Sequence, residues 1–359
     1  MLLKFLYPLV ERFSFLNIFR YITFRAVYAA ITALLIAFIL GPWVIRKLRA
    51  LKAGTNSVRE DTPKTHQAKA GTPSMGGVLI VFSVLVSALF WMDLDNLYTW
   101  LLLLAILGFG GLGFVDDFLK MSARKKGISI GVKFGGQILA ASILVTLLYL
   151  LRSPDTTLLY IPFFKRPVLD LSWFYIPFAV ILMVGYSNAV NFTDGLDGLA
   201  IGLVIMVGLS LALIAYISGR VDWAEFLFVP YIKGAGEIMI FCLAVTGAAV
   251  GFLWFNAHPA EVIMGDTGSL AFGGIFGLVS MILKKEILLF IIGGVFVLEL
   301  LSVVIQIISF RLTGKRVFKM APLHHHFELS GWAESKVVTR LWILGGLFAL
   351  LGLSTLKIQ

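Results

Sequence analysis

Residues 101–118 read LLLLAILGFGGLGFVDDF: no charge from 101 to 115, then two adjacent carboxylates, Asp116 and Asp117. A helix crossing the hydrocarbon core of a bilayer needs about 20 apolar residues, and this run with its upstream neighbours supplies them. One ionised Asp inside a bilayer costs roughly 2.5–3.5 kcal/mol, so a pair closing such a run must meet water or serve a purpose. Next to water, two carboxylates can hold a divalent cation, or divide metal ligation from general-base work. The plainer reading is a solvated helix end. Which reading holds depends on where the other polar clusters fall.

Composition sets the class. Hydrophobic residues make up 59% of the 359 and charged residues 14%, with mean hydropathy +0.94. Soluble domains carry about 25% charged residues, so a soluble globular fold is excluded. The apolar runs do not alternate, which argues against a transmembrane barrel. The fold class expected is all-α: a polytopic helical integral membrane protein, one domain over 1–359, with spans near 21–45, 75–94, 97–118, 131–151, 171–188, 197–217, 236–256, 268–283, 287–310 and 338–356. That is about ten crossings. Residues 1–20 are broken by Lys4, Pro8, Glu11 and Arg12 and suit an interfacial segment rather than a cleavable leader. The single cysteine, Cys242, lies in an apolar run and reads as packing. A net charge of +10 in a membrane chain marks cytoplasmic loops and anionic lipid contact, not nucleic acid.

Basic residues orient the spans. The odd-numbered loops hold about 18 of the 30 Lys and Arg, against about 11 on the other side, with Arg25 inside the first span. The odd loops are therefore expected in the cytoplasm and both termini outside. On that face lie His66–Gly77, the Asp116-Asp117 pair, Asn188–Gly198, Gly265-Asp266-Thr267-Gly268-Ser269 and Pro322-Leu323-His324-His325-His326. Five clusters on one face imply one site.

Asn188, Asn191, Asp194 and Asp197 recur every third residue and would form a slowly drifting helical stripe, suited to sugar hydroxyls or to water around a metal. The alternative is capping by Thr193 or Asp194 of a helix beginning near Gly195. Asp266 before an apolar helix reads either as an N-cap or as a metal ligand beside phosphate-facing N–H groups. Three consecutive histidines stand about 100° apart on a helix and cannot face one point, so zinc is not expected; with Lys315, Arg316, Lys319 and Arg340 they form a basic, phosphate-handling loop. Lys120, Arg124, Lys125, Lys126 and Lys133 follow the Asp pair and would attract a lipid phosphate. Separated carboxylates without thiols imply Mg²⁺ or Mn²⁺, and with basic residues phosphoryl chemistry joining a soluble nucleotide to a lipid.

These motifs, Asn188–Gly198, Asp116-Asp117, Met264-Gly265-Asp266 and Pro322–His326, resemble the phospho-N-acetylmuramoyl-pentapeptide transferase family over nearly the whole chain. The Asp-Asp and Asn-Asp motifs are common to the polyprenyl-phosphate sugar-1-phosphate transferase superfamily, and the Pro-Leu-His-His-His run belongs to the muramoyl branch. The resemblance implies transfer from UDP-N-acetylmuramoyl-pentapeptide to undecaprenyl phosphate in peptidoglycan synthesis, with Mg²⁺, by a homodimer in the bacterial inner membrane. It implies catalytic roles for Asp116 (base), Asp117, Asp266 and His324, and a metal held by Asp266 and Asp117. Substrate-binding roles fall to Lys69, Thr72, Lys120, Lys133, Asn188, Asn191, Asp194, Asp197, Asn256, His325 and His326. The sequence departs from the family pattern at Ile263, where a Phe can stand to stack on uracil, and at Ser74, where Thr is usual. Direct displacement and a two-step route through a carboxylate-bound phosphosugar are both open. A transporter would place its ionisable residues at the midplane in related repeats, a pattern this chain lacks.

Overall fold

Lipid offers a backbone no hydrogen-bond partner, so so apolar a chain must satisfy its N–H and C=O groups within its own segments. The computed structural model of the chain does this with helices; it describes residues 13–51, 71–123, 127–151, 154–164 and 166–357. In order these are α1 (Ile22–Ala50), α2 (Gly77–Trp91), α3 (Leu97–Ala123), α4 (Ile130–Leu150), α5 (Tyr175–Thr193), α6 (Leu199–Ser218), α7 (Val221–Leu227) and α8 (Ala235–Asn256). There follow α9 (Gly265–Ile282), α10 (Glu286–Ile292), α11 (Gly294–Thr313), α12 (Leu323–Glu328) and α13 (Glu334–Ser354). A two-residue antiparallel ladder, Leu158–Leu159 with Leu169–Asp170, lies between α4 and α5. The described part of the N-terminal segment is a 3₁₀ turn over Ser14–Arg20 with no buried residue.

Nine of the helices among the described residues are long and apolar enough to cross a membrane. The chain is a multi-pass membrane protein. Two expected spans come out differently. The one near 75–94 is α2, whose 15 residues at 1.5 Å each reach about 22 Å, short of a bilayer core. Before it the chain is irregular and tied to the approach to α9: Ile263 N–H donates to Pro73 C=O at 2.9 Å, Gly76 N–H to Ile263 C=O at 2.9 Å, and Gly77 N–H to Met264 C=O at 2.8 Å. The span near 287–310 is interrupted at Gly293, dividing α10 from α11. There the Tyr186 hydroxyl of α5 occupies the space a Cβ would need.

α9 is the centre of the packing, with 94% of its apolar window buried. Its neighbours approach closely because the contact residues are small, as in membrane interfaces generally. A Cβ on Gly113 of α3 would run into the Asp266 carbonyl, and one on Gly273 of α9 into the backbone at Ser187 of α5. On α1, Ala26, Ala29, Ala33 and Ala37 recur at helical spacing and are fully buried. Beside that stripe the α1 backbone at Ala30 packs on Gly247 of α8, and Leu34 and Ala37 on Gly251. At one end of this pair the Arg25 guanidinium makes a two-pronged bridge to Glu237, at 2.8 and 3.2 Å. In contrast α4 and α11 bury only 22% of their windows, and α1 28%; these are the lipid-facing outer helices.

Candidate functional site

The first turn of α9 leaves N–H groups without helical partners. Asp117, from the C-terminal part of α3, supplies them: its carboxylate accepts from Asp266 N–H at 3.2 Å, Thr267 N–H at 2.9 Å and the Thr267 hydroxyl at 2.7 Å. The cap of α9 therefore comes from another helix, and Asp266 is free for other work. Its Oδ1 accepts from the Asn191 amide of α5 at 2.5 Å. Its Oδ2 accepts from Lys120 of α3 at 2.6 Å and Lys133 of α4 at 2.8 Å. The same two ammonium groups reach Asp116 Oδ2, at 2.9 and 3.4 Å. Asp116 Oδ1 accepts from Ile128 N–H at 2.7 Å. Both carboxylates of the pair are buried, and α3 runs on past them to Ala123; the solvated-end reading does not hold.

Asp194 caps the end of α5 and accepts from Gly265 N–H at 3.1 Å. Gly265 has φ +77, and a Cβ there would strike Asp117 and crowd Ser74. Burial pushes the Asp194 carboxyl up to about 7; the Gly265 N–H opposes this, and the negative charges of Asp266, Asp117 and Asp197 add to it. Asp116, Asp117, Asp194 and Asp266 present hard oxygens and no thiolate, the donor set magnesium takes. Four carboxylates gather against the two ammonium groups of Lys120 and Lys133, which leaves the cluster short of positive charge, so the residues present fit a hard divalent cation.

The three-residue repeat does not survive as a stripe. α5 stops at Thr193, so only Asn188 and Asn191 are on its helical face, and α6 starts at Leu199 behind Gly198, not near Gly195. Gly198 has φ +78 and no side-chain cap, so neither Thr193 nor Asp194 caps that helix. Both Asn188 amide hydrogens are spent, on Gln137 at 2.7 Å and Val184 C=O at 2.8 Å. Asp197 belongs to a second group: it accepts from Ala260 N–H at 3.1 Å and lies 3.2 Å from His258 Nδ1, while its own N–H donates to Glu334 at 2.9 Å. One ligand atom each from Asp197, His258 and Glu334 lie within 4.8 Å of one another. An imidazole suits zinc and its neighbours better than magnesium. Asn256 braces the same turn, accepting from Gly198 N–H at 3.2 Å and donating to Val262 C=O at 2.9 Å.

The three histidines of α12 each find a different partner. His324 is fully buried, with Nδ1 3.2 Å from Glu299; its Nε2 faces Gly195, where a Cβ would collide with the ring. His325 Nδ1 lies 2.9 Å from Glu328, and His326 Nδ1 accepts from Lys319 N–H at 3.1 Å. Glu299 Oε1 and His324 Nε2 are buried without partners among the described residues. Glu299, His258 and Glu334 are additions to the residues singled out from sequence. For Glu299 a signal existed, an acid inside an apolar span. Thr72 lies half-buried in the irregular segment before α2. Lys69, Arg124, Lys125 and Lys126 lie outside the described residues. Of the basic loop, Lys319 Nζ donates to Leu329 C=O at 3.1 Å and the Arg340 guanidinium stacks 4.1 Å from the Trp332 ring centre. Among the described residues neither they nor Lys315 and Arg316 pair with the carboxylates around α9.

Comparison with known proteins adds the following. The family described as Glycosyl transferase family 4 matches residues 99–284, which contain Asp116, Asp117, Asn191, Asp194 and Asp266. The Phospho-N-acetylmuramoyl-pentapeptide-transferase signature 1 matches residues 69–81. Curated relatives bearing the name phospho-N-acetylmuramoyl-pentapeptide-transferase include that of Syntrophus aciditrophicus (strain SB), 51% identical over 100% of both chains. Those of Desulforapulum autotrophicum and Maridesulfovibrio salexigens are 52% and 50% identical, again over the whole of both chains.

Proposed function

This chain belongs to the phospho-N-acetylmuramoyl-pentapeptide transferases, and on that premise we propose that it moves phospho-N-acetylmuramoyl-pentapeptide from its UDP-linked precursor to undecaprenyl phosphate, leaving lipid I and UMP. It is a transferase of a membrane step in peptidoglycan synthesis. The observation that carries the site assignment is the meeting of Asp116, Asp117, Asp266, Asn191, Lys120 and Lys133, from four helices, in one cluster. The catalytic unit is the whole chain, as a homodimer in the bacterial inner membrane with this face towards the cytoplasm; the Lys and Arg excess of the loops on the same side supports the orientation.

Lys120 and Lys133 bridge two carboxylates and would exchange one of them for a phosphate, drawing the acceptor headgroup to Asp116. Asp116 takes the remaining proton of the lipid phosphate. The freed oxygen attacks the β-phosphorus of the donor, a new P–O–P bond forms, the bond to the α-phosphate breaks, and UMP leaves. Magnesium, held by Asp266 with Asp117, would supply neutralising charge to the departing UMP phosphate. Direct displacement is favoured over a phosphosugar-enzyme intermediate because Asp117 is already spent on the first turn of α9, and its esterification would uncap that helix. Trapping a phosphosugar on Asp116 or Asp117 during turnover would overturn this. Asn191, Asp194 and Asp197 are assigned to the nucleotide-sugar, Lys69 by resemblance to the uridine, Thr72, Asn256, His325 and His326 to substrate binding, and His324 to catalysis.

The test is UMP release by the purified chain with undecaprenyl phosphate. Release with the muramoyl-pentapeptide donor, lost on chelation and in Asp266→Asn, is expected. Release with UDP-N-acetylglucosamine in its place would reassign the donor, and release that survives Asp266→Asn would reassign the site.

A further inference from the structure

Beside the lipid-facing wall of α11 lies a groove of about 540 Å³ that the transfer reaction does not use. One face of α11 supplies its floor: Val303, Ile307 and Phe310 follow at helical spacing, and Arg311 closes the row in the last turn. The chain then folds back over its own helix because Gln306 ties it down. The Gln306 amide donates to Phe318 C=O at 2.9 Å, and its oxygen accepts from the N–H groups of Val317 and Phe318, both at 3.0 Å. This return brings Arg316 and Lys319 to the rim beside Arg311. Three cations thus line one rim, and none is ion-paired among the described residues. Along the floor, Ile307 and Phe310 are 48% and 55% exposed.

We propose that this groove binds the phosphodiester headgroup of an anionic bilayer phospholipid, with Arg311, Arg316 and Lys319 on the phosphate and the acyl chains along Ile307 and Phe310. The order of features matches such a molecule: apolar turns inside the bilayer, then cations where the helix leaves it. A peptide or sugar from the aqueous side would gain nothing from the lipid-facing floor. The acceptor lipid of the reaction must put its phosphate at Asp116, and no residue of this groove touches that cluster. The groove is coupled to the histidines, because Lys319 N–H donates to His326 and Lys319 Nζ to the end of α12. A bound headgroup therefore steadies the segment that carries His324. The proposal rests on the membrane placement of α11 and not on which sugar is transferred.

Thermal unfolding of the full chain in neutral detergent, titrated with phosphatidylglycerol or with phosphatidylcholine, tests it without an activity readout. Phosphatidylglycerol is expected to raise the melting temperature saturably and phosphatidylcholine to leave it unchanged. Each cation near a headgroup is worth about fivefold in affinity, so Arg311→Gln with Arg316→Gln is expected to move the phosphatidylglycerol midpoint by more than tenfold. Both arginines are exposed, and the unliganded melting temperature of the variant is expected to match the parent. Equal shifts from the two lipids, or an unmoved midpoint in the variant, would overturn the proposal. Displacement of phosphatidylglycerol by equimolar undecaprenyl phosphate would overturn it too, by assigning the groove to the acceptor.

Discussion

Asp194 lies outside the spans, and its surroundings push its carboxyl well up. Its carboxyl titrates near 7 in the folded chain and near 4 in an unfolded one, so between those values the folded state holds an extra proton. Stability tied to this group is full below about pH 4 and is lost as pH rises through 7. Asn at 194 does not titrate. Asp194→Asn is therefore expected to melt a few degrees above the parent at pH 8, a gain that shrinks as pH falls towards 4, while UMP release drops. A melting curve series in detergent checks the first part; a constant offset across pH would contradict it. Glu299 makes a second case. Removing one member of a buried pair leaves the other uncompensated, and partners that orient a functional imidazole typically matter by 10–100-fold. Glu299→Ala is expected to lose activity on that scale and Glu299→Gln, which keeps an acceptor for His324, to lose much less. Asp116, Asp117, Asp266 and Asn191 were legible in the sequence because polar groups in an apolar chain stand out. Glu299 stood out as well, but nothing local says which side chain a mid-span acid meets. His258 and Glu334 are ordinary loop and helix-start residues until the fold brings them to Asp197.

At the scale of elements, hydropathy located every long helix, because burial in lipid depends on composition over about 20 residues. It does not register continuity. The count of apolar residues near 75–94 is the same whether the chain coils or, as at Pro73–Gly76, leaves the helix to bond with Ile263. Nor does hydropathy register that at Gly293 the Tyr186 hydroxyl of another helix takes the space a side chain would need. The close approach of α3 to α9 gives an element-level prediction. Gly113→Ala places a Cβ against the Asp266 carbonyl, whereas Gly111, two residues away, has open space. Overpacking typically costs 1–3 kcal/mol. Gly113→Ala is expected to lower both melting temperature and UMP release, Gly111→Ala neither. Equal behaviour of the two variants would show that α3 and α9 yield there easily.

For the whole molecule, the charge asymmetry of the loops and the gathering of polar clusters were readable in advance, whereas the second charged centre was not. Arg25 was visible inside the first span, but its partner Glu237 lies 212 positions away and opens a helix whose start reads as ordinary. The bridge joins α1 to α8. Breaking such a buried pair costs about 3–5 kcal/mol. Arg25→Met is expected to melt well below the parent while molecules still folded release UMP at the parental rate. A loss of specific activity at low temperature would instead place this bridge in the working of the site. A last consequence follows from the carboxylate cluster's being assembled from α3, α4, α5 and α9. A molecule gripped there is lost as soon as any one of the four peels away, so its binding free energy is added to the local opening of all four. Deuterium uptake at the amides around 116–120, 130–133, 189–193 and 265–269 is then expected to slow in concert on donor addition, by a common factor, although these stretches are far apart along the chain.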